Sequence, residues 1–269
     1  AFVIHGHGVV VTGTAIAGQV AEGDTVRVLP GGQTARVRSI EVHGVPVTRA
    51  SHAQRVAINL VGIDRSDIGR GHVVCATAVD RTTTRFEAWV EVRPGARLPV
   101  RHHGRVRVHL GTAETVAKTV LLQPAHTLAP RASGYVQLVL AEPLVALRGD
   151  RFVLRDETAR WTLGGGIVLH PFAARHRATD DTAALLAALQ QGDVRAAATA
   201  LVQTAPALAI DRTTLQQTLN LPALEIVKAL RDAPGVLAIP AGGQPDAWIT
   251  QVRADELEAR ALADVSAFH

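Results

Sequence analysis

The chain has 269 residues, enough for two or three compact domains, each with its own core. Apolar residues make up 47% and charged residues 19%, and no run reaches the roughly 18 uninterrupted apolar residues of a membrane span, which argues against a membrane-spanning helix. The net charge of +4 permits contact with nucleic acid without demanding it, and the single cysteine, Cys75, cannot form an internal disulfide, which fits a reducing, cytoplasmic setting.

From Ala1 to about Val79 the sequence is a series of short β-rich runs between turn residues. The opening, Ala1-Phe2-Val3-Ile4, already reads as the middle of a strand and carries no signal-peptide pattern; with no methionine in the chain, an excised piece of a longer protein is expected. Val9 to Thr12, Thr25 to Val28, Ala35 to Ile40 and Arg55 to Leu60 are the clearest strands, separated by Ala21-Glu22-Gly23-Asp24, Pro30-Gly31-Gly32 and Gly69-Arg70-Gly71. Short strands at this spacing argue for a small barrel or sandwich over residues 1–79.

A second β-rich block covers residues 80–172. Arg85 to Val92, Gly104 to Leu110, Tyr135 to Leu140, Asp150 to Arg155 and Gly164 to Leu169 are its strands. Gly164-Gly165-Gly166 lacks the Lys-Ser/Thr that completes a phosphate loop, and no helix follows, so a tight barrel turn is expected there. Between Arg93 and His109 lie Arg93, Arg97, Arg101, Arg105 and Arg107 with His102 and His103 and no acid; charge alone leaves a solvated strand face and a phosphate-facing surface both open.

After Pro171 the spacing turns helical, over residues 173–269. Asp180-Asp181-Thr182 is expected to cap a helix over Ala183 to Gln191, stopped by Gly192; Asp193 starts a second to about Val202. Asp211 caps Thr213 to Leu219, Asn220-Leu221-Pro222 turns into Ala223 to Asp232, and two short strands around Gly242-Gly243 follow. That order reads as a helix-turn-helix with a β wing, closed by a helix over Ala254 to Phe268. The fold class is therefore multi-domain, mainly β followed by α: two barrels and a C-terminal winged helix.

Catalytic signatures are missing: there is no phosphate-loop motif, no His-Glu-x-x-His, no Gly-x-Ser-x-Gly and no cysteine pair. His5-Gly6-His7 and His102-His103 invite a metal reading, but neighbouring strand histidines rarely converge on one ion without further ligands, and no metal is expected. The chain is expected to act by binding and not by chemistry.

Phe2-Val3-Ile4-His5-Gly6-His7-Gly8-Val9-Val10-Val11-Thr12-Gly13 resembles the opening of the second domain of translational GTPases. Gly23-Asp24 and Gly62 to Gly71 repeat that family's order, and Leu144 to Arg155 resembles the closing strands of its third domain. Within the family, Gln54-Arg55-Val56-Ala57, His109-Leu110-Gly111-Thr112-Ala113-Glu114 and the winged tail resemble the bacterial selenocysteine-specific elongation factors (SelB) more than the general factor Tu. The resemblance covers roughly the first 170 residues and is loose over residues 173–269.

That resemblance implies site residues one by one. Phe2, Thr12 and Arg55 match positions lining the aminoacyl pocket; Ile4, Val10 and Asn59 match those around the terminal adenosine of the tRNA, and Glu41 the carboxylate near its ribose. For Ile4 and Val10, plain barrel core is an equal reading of the pattern. Arg160, in the Asp156 to Trp161 loop, matches a segment against the T-stem backbone. A selenol is far more acidic than a thiol of pKa about 8.5 and is anionic at neutral pH, so a permanently charged guanidinium at Arg55 favours it over a seryl hydroxyl. The plainer reading pairs Arg55 with Asp24 or Asp67. The implied partners are selenocysteinyl-tRNA, the ribosome and, through C-terminal domains outside the chain, a messenger-RNA hairpin; a monomer without membrane contact is expected. GTP and Mg²⁺ would belong to an N-terminal domain absent here, leaving no cofactor in this chain. The competing readings are another translational GTPase, such as an initiation or general elongation factor, and a winged-helix DNA-binding regulator. The second needs a basic recognition helix, and Thr213 to Leu230 holds only Lys228 as a cation.

Overall fold

A computed structural model describes residues 2–4, 8–175 and 180–267, the first three by backbone alone. By compactness the chain forms two units, one of Ala1–Thr84, His109–Thr115 and Leu140–Val145, the other of Arg85–Val108, Val116–Val139 and Ala146–His269.

The first unit is built on a seven-stranded antiparallel sheet. Its strands are β1 (Phe2–Ile4), β2 (Gly8–Thr14), β4 (Thr25–Leu29), β5 (Gln33–Val42), β6 (Val45–Val47), β8 (Arg55–Val61) and β9 (Val73–Ala76), while β3 (Gln19–Ala21) pairs with β7 (Arg49–Ser51). The order is β1-β2-β8-β5-β4-β9, with β6 on β5. Alternation explains β8: Val56, Ile58 and Leu60 point into the core while Arg55, Ala57 and Asn59 point away. In β5, Val37 and Ile40 are both buried although three residues apart. A bulge between Val37 and Ser39 absorbs the extra residue, so Arg38 has no partner across β8 and the core phase is kept.

A closed barrel follows in the order β10-β15-β13-β12-β16-β17, most of it in the second unit. These are β10 (Thr83–Val92), β12 (Arg105–Leu110), β13 (Ala113–Leu121), β15 (Ser133–Leu144), β16 (Arg151–Asp156) and β17 (Thr162–His170), with β11 (Val100–Arg101) paired to β14 (Thr127–Leu128). Phe86 and Phe152 meet edge to face at 5.4 Å between ring centroids. Strand β13 is weakly marked in sequence because its buried residues include Thr115, Ala117 and Thr119 while Val116 and Val120 sit only half-buried; the Thr119 hydroxyl is satisfied by the Arg101 and Gly104 carbonyls.

The expected turn at Gly164-Gly165-Gly166 is corrected by the structure, which places all three inside β17. A Cβ on Gly164 or Gly166 would run into the carbonyl oxygens of Glu91 and Trp89, and one on Gly165 would stand 2.5 Å from that of Phe152. The glycines are there because neighbouring backbones press on both sides of the strand.

Helices follow: α1 (Asp180–Gln191), α2 (Val194–Thr204), α3 (Arg212–Leu219), α4 (Ala223–Leu230) and α5 (Gln251–Ala267), with β18 (Ile210–Asp211), β19 (Val236–Ala241) and β20 (Gln244–Thr250) in a small sheet. Helix α1 runs from Asp180, so that Asp180, Asp181 and Thr182 make its acidic first turn, α4 stops at Leu230 instead of Asp232, and α5 begins three residues before Ala254. The expected caps at the next two helices form: Asp193 accepts from the Ala196 N–H at 2.9 Å and Asp211 from the Thr214 N–H at 2.8 Å. Gly242 and Gly243, both at positive φ, close the β19–β20 hairpin.

Barrel and helices share one core within this unit. Leu122 and Leu169 from the barrel are buried together with Leu185, Leu186, Leu189 and Trp248. Arg148, just before β16, donates to the Leu189 carbonyl at 2.7 Å and the Leu219 carbonyl at 3.5 Å, near the C-terminal ends of α1 and α3, where a cation meets the negative end of the helix dipole. Asn220 Nδ2 returns a hydrogen bond to the Arg148 carbonyl at 3.3 Å.

Candidate nucleic-acid interface

Antiparallel register brings most of the first-barrel candidates into adjacent rows. Phe2 pairs with Val10, Val10 with Asn59, and Asn59 with Ser39. In the next row Thr12 pairs with Ala57 and Ala57 with Glu41; beyond it Arg55 pairs with Thr14. Ile4 pairs with Gly8, on the other side of the Val10 row. Side chains alternate along a strand, so Thr12, Arg55, Asn59 and Glu41 stand on one face of β2-β8-β5, opposite the core residues Val9, Ile58 and Ile40. Val10 shares that outer face by register and yet is buried, at 7% exposure. The side chains of Phe2 and Ile4 lie outside the described residues.

The groups on this face are available for contact. Arg55, Thr12 and Glu41 are exposed, and Arg55 makes no ion pair or side-chain hydrogen bond among the described residues. Neither suggested partner reaches it: Asp24 accepts from the Ala21 N–H at 2.8 Å, and Asp67 from the Asp64 N–H at 3.3 Å. Asn59 Oδ1 is buried without a hydrogen-bond partner among the described residues. Beside it, Gly8 has φ 89°, and a Cβ there would come within 2.7 Å of the Leu60 carbonyl and 3.0 Å of Asn59 Oδ1. Glycine at this position lets β2 lie close against Leu60 and Asn59.

In the second barrel, the Asp156 to Trp161 loop is folded by its own aspartate. Asp156 accepts from the Thr158 hydroxyl, from the Thr158 N–H at 3.1 Å and from the Trp161 N–H. Chiefly the Thr158 hydroxyl, then the backbone donors, hold this carboxyl below its ordinary pKa. Arg97 stacks on Trp161 with its guanidinium carbon 3.7 Å from the ring centroid, and Arg105 pairs with Glu157 at 3.1 Å. The basic run is thus partly spent on fixing the loop, and Arg160 is left exposed, with no side-chain partner among the described residues.

The histidine candidates divide. His5 and His7 lie outside the described residues. His102 and His103 have ring centroids 3.9 Å apart, and His102 Nδ1 accepts from the Leu121 N–H at 3.1 Å, a structural task. His109, in the His109 to Glu114 segment, has Nδ1 3.6 Å from Glu114 Oε2. In the helix-turn-helix, Lys228 is paired with Glu225 at 3.3 Å, and Arg212 at the start of α3 is held by Asp246 at 3.1 Å. Arg36 and Arg38, on the same outer face of the first sheet, carry no motif; the Arg-Val-Arg alternation is their one signal in the sequence.

Residues 8–75 match the family of elongation factor Tu domain 2, and residues 87–175 match the β-barrel domain of selenocysteine-specific elongation factor. The second barrel thus carries the β-barrel domain of the selenocysteine-specific elongation factors. The chain is 30% identical over 213 residues to the selenocysteine-specific elongation factor of Escherichia coli K12, covering 73% of this chain and 33% of that protein. The Desulfomicrobium baculatum factor is 29% identical over 176 residues, 65% of this chain and 28% of that protein. The chain therefore spans about a third or less of the length of these curated relatives. The crystal structure of a bacterial selenocysteine-specific elongation factor, EF-Sec, superposes over 100% of this chain and 41% of its own, with a TM-score of 0.76 at 24% identity. That likeness extends the shared fold of the selenocysteine-specific factors through the helical tail. Selenocysteine-specific elongation factors are translational GTPases.

Proposed function

We propose that the outer face of β2-β8-β5 holds the aminoacylated 3′ end of selenocysteinyl-tRNA for GTP-dependent delivery to the ribosome. One observation carries this reading: Thr12, Arg55, Glu41 and Asn59, separated by up to 47 residues in sequence, converge on one sheet face, with Arg55 free of any carboxylate among the described residues. Glu41, an acceptor-only carboxylate, suits the ribose hydroxyls, and Asn59, in one row with Val10, stands where the adenosine would lie. Phe2 and Ile4 complete the rows by register. Arg55 lies two rows from Asn59, where the aminoacyl group follows the adenosine, and its charge selects a selenolate over a hydroxyl. Arg160 serves the T-stem backbone from the second barrel.

Binding GTP and Mg²⁺, and hydrolysing GTP, fall in this reading to a part of the protein outside these residues, in a cytoplasmic monomer. The messenger-RNA hairpin is likewise assigned to further C-terminal domains. The paired Lys228 weighs against the helix-turn-helix as a DNA reader. Hydrogen exchange on the full-length protein with and without selenocysteinyl-tRNA tests the placement. Added protection is expected in β2, β5 and β8. Protection confined to α3, α4 and the β19–β20 wing would contradict it.

A further inference from the structure

Beyond Asn59 the same sheet face continues into a recess of about 330 Å³ lined by Gly23, Arg36, Val37, Arg38 and Val61. Its place follows from register: Val61 pairs with Arg36, and Arg36 with Thr25, one row past the Asn59–Ser39 row. Val61 is 45% exposed, and Arg36 and Arg38 are both exposed. Neither arginine makes an ion pair or side-chain hydrogen bond among the described residues. Of the carboxylates flanking Gly23, Asp24 is engaged by the Ala21 N–H, and neither it nor Glu22 pairs with these arginines.

The bulge keeps the core phase beyond the two cations. In a regular strand Arg36 and Arg38 would share the outer face, and Ile40 would have to follow them out. Because Arg38 is the residue without a β8 partner, both guanidiniums stay outside while Val37 and Ile40 remain in the core. Two cations and the exposed Val61 thus line one recess. Planar guanidiniums over an apolar floor fit a phosphodiester with its sugar or base edge laid on Val61. The recess lies two residues along β8 from Asn59, about 7 Å at a strand rise near 3.3 Å, a distance that neighbouring nucleotides of a splayed single strand can bridge.

We propose that Arg36 and Arg38 form a phosphate-binding cleft for the single-stranded RNA backbone just before the terminal adenosine. This rests on the adenosine lying over Val10 and Asn59, and it adds the direction in which the strand leaves: away from Arg55, along β8 towards Val61. The cleft reads charge and spacing, and does not read base identity.

The test titrates this chain with a labelled ACCA tetraribonucleotide, with the same RNA lacking its last adenosine, and with ACCA carrying neutral methylphosphonates in place of its phosphodiesters. Arg36→Gln/Arg38→Gln is expected to weaken ACCA binding at least about tenfold, as for lost charge-assisted hydrogen bonds. The slope of log affinity against log salt should fall by about 0.7 for each phosphate released. Arg36→Lys/Arg38→Lys should keep most of that slope, which also shows that the site tolerates substitution. With methylphosphonate RNA the wild type and the double glutamine variant should bind alike. An unchanged salt slope in the glutamine variant, or an equal loss on the neutral backbone, overturns the cleft. If instead removing the last adenosine changes nothing while the arginine effect persists, the adenosine placement fails and the phosphate cleft stands.

Discussion

At Gly165 a missing side chain decides whether β17 can lie between its neighbours. A Cβ there would stand 2.5 Å from the Phe152 carbonyl oxygen, a backbone atom held in the β16–β17 ladder that cannot swing away as a side chain would. Gly165→Ala is therefore expected to destabilise the second barrel by about 1–3 kcal/mol, the usual cost of forcing volume into a packed site. Chemical denaturation of the variant checks this, and an unchanged midpoint would show that the strand has room. The three glycines are plain in the sequence, but their reason is not, because the pressing atoms belong to Trp89, Glu91 and Phe152, far away along the chain. Arg55 is the reverse case. Its type and its family position are legible in the sequence, while its freedom from Asp24 and Asp67 becomes visible only when those carboxylates are seen closing their own turns.

At the scale of elements, local chemistry predicts helix boundaries where a cap acts within three residues. Asp193 and Asp211 are read correctly because a cap and its amide are close in sequence. At α5 the Thr250 hydroxyl accepts from the Arg253 N–H at 3.3 Å, a local cap ahead of the expected start at Ala254, and the Arg253 side chain is held besides by the carbonyls of Ala205 and Ala207. Asp211 is the measurable case. Burial raises its pKa, but bonds from the Thr214 hydroxyl and the Thr214 and Thr213 amides outweigh burial and hold the carboxyl below its ordinary value. A folded pKa held below the unfolded one stabilises above the ordinary carboxylate range, and that stabilisation is lost as pH falls through the depressed folded value. Asp211→Ala is expected to cost about 1 kcal/mol near neutral pH. The gap between variant and wild type should narrow below about pH 4. Thermal melts across pH decide this, and a gap independent of pH would remove the ionised cap from the account. Strands are less legible than caps: β13 hides behind inward threonines and an alanine, and the threonines find their partners elsewhere in the chain, Thr119 at the Arg101 and Gly104 carbonyls and Thr115 at the Glu142 N–H.

Over the whole molecule, the sequence order of two β-rich blocks and a helical tail is what the structure displays, the first block matching elongation factor Tu domain 2 and the second the β-barrel domain of selenocysteine-specific elongation factor. What the sequence order does not show is that most of the second barrel and the helices are one compact unit, with Leu122 and Leu169 in a core with Trp248 and with Arg148 on two helix ends. Such packing joins segments 41 residues apart and more, and no local periodicity encodes it. The first-barrel face is legible for a different reason, since alternation fixes which side of each strand a residue takes and register then aligns them. The central claim is that this face distinguishes the aminoacyl group through Arg55. Its most direct test restores the full-length protein in the GTP state and compares affinities for selenocysteinyl- and seryl-tRNA, in wild type and in Arg55→Ala. The account predicts that the wild type prefers the selenium form and that the variant loses most of this preference, about 1–3 kcal/mol for a charge-assisted contact, while seryl-tRNA affinity changes little. Discrimination that is absent in the wild type, or that survives the substitution, would contradict it.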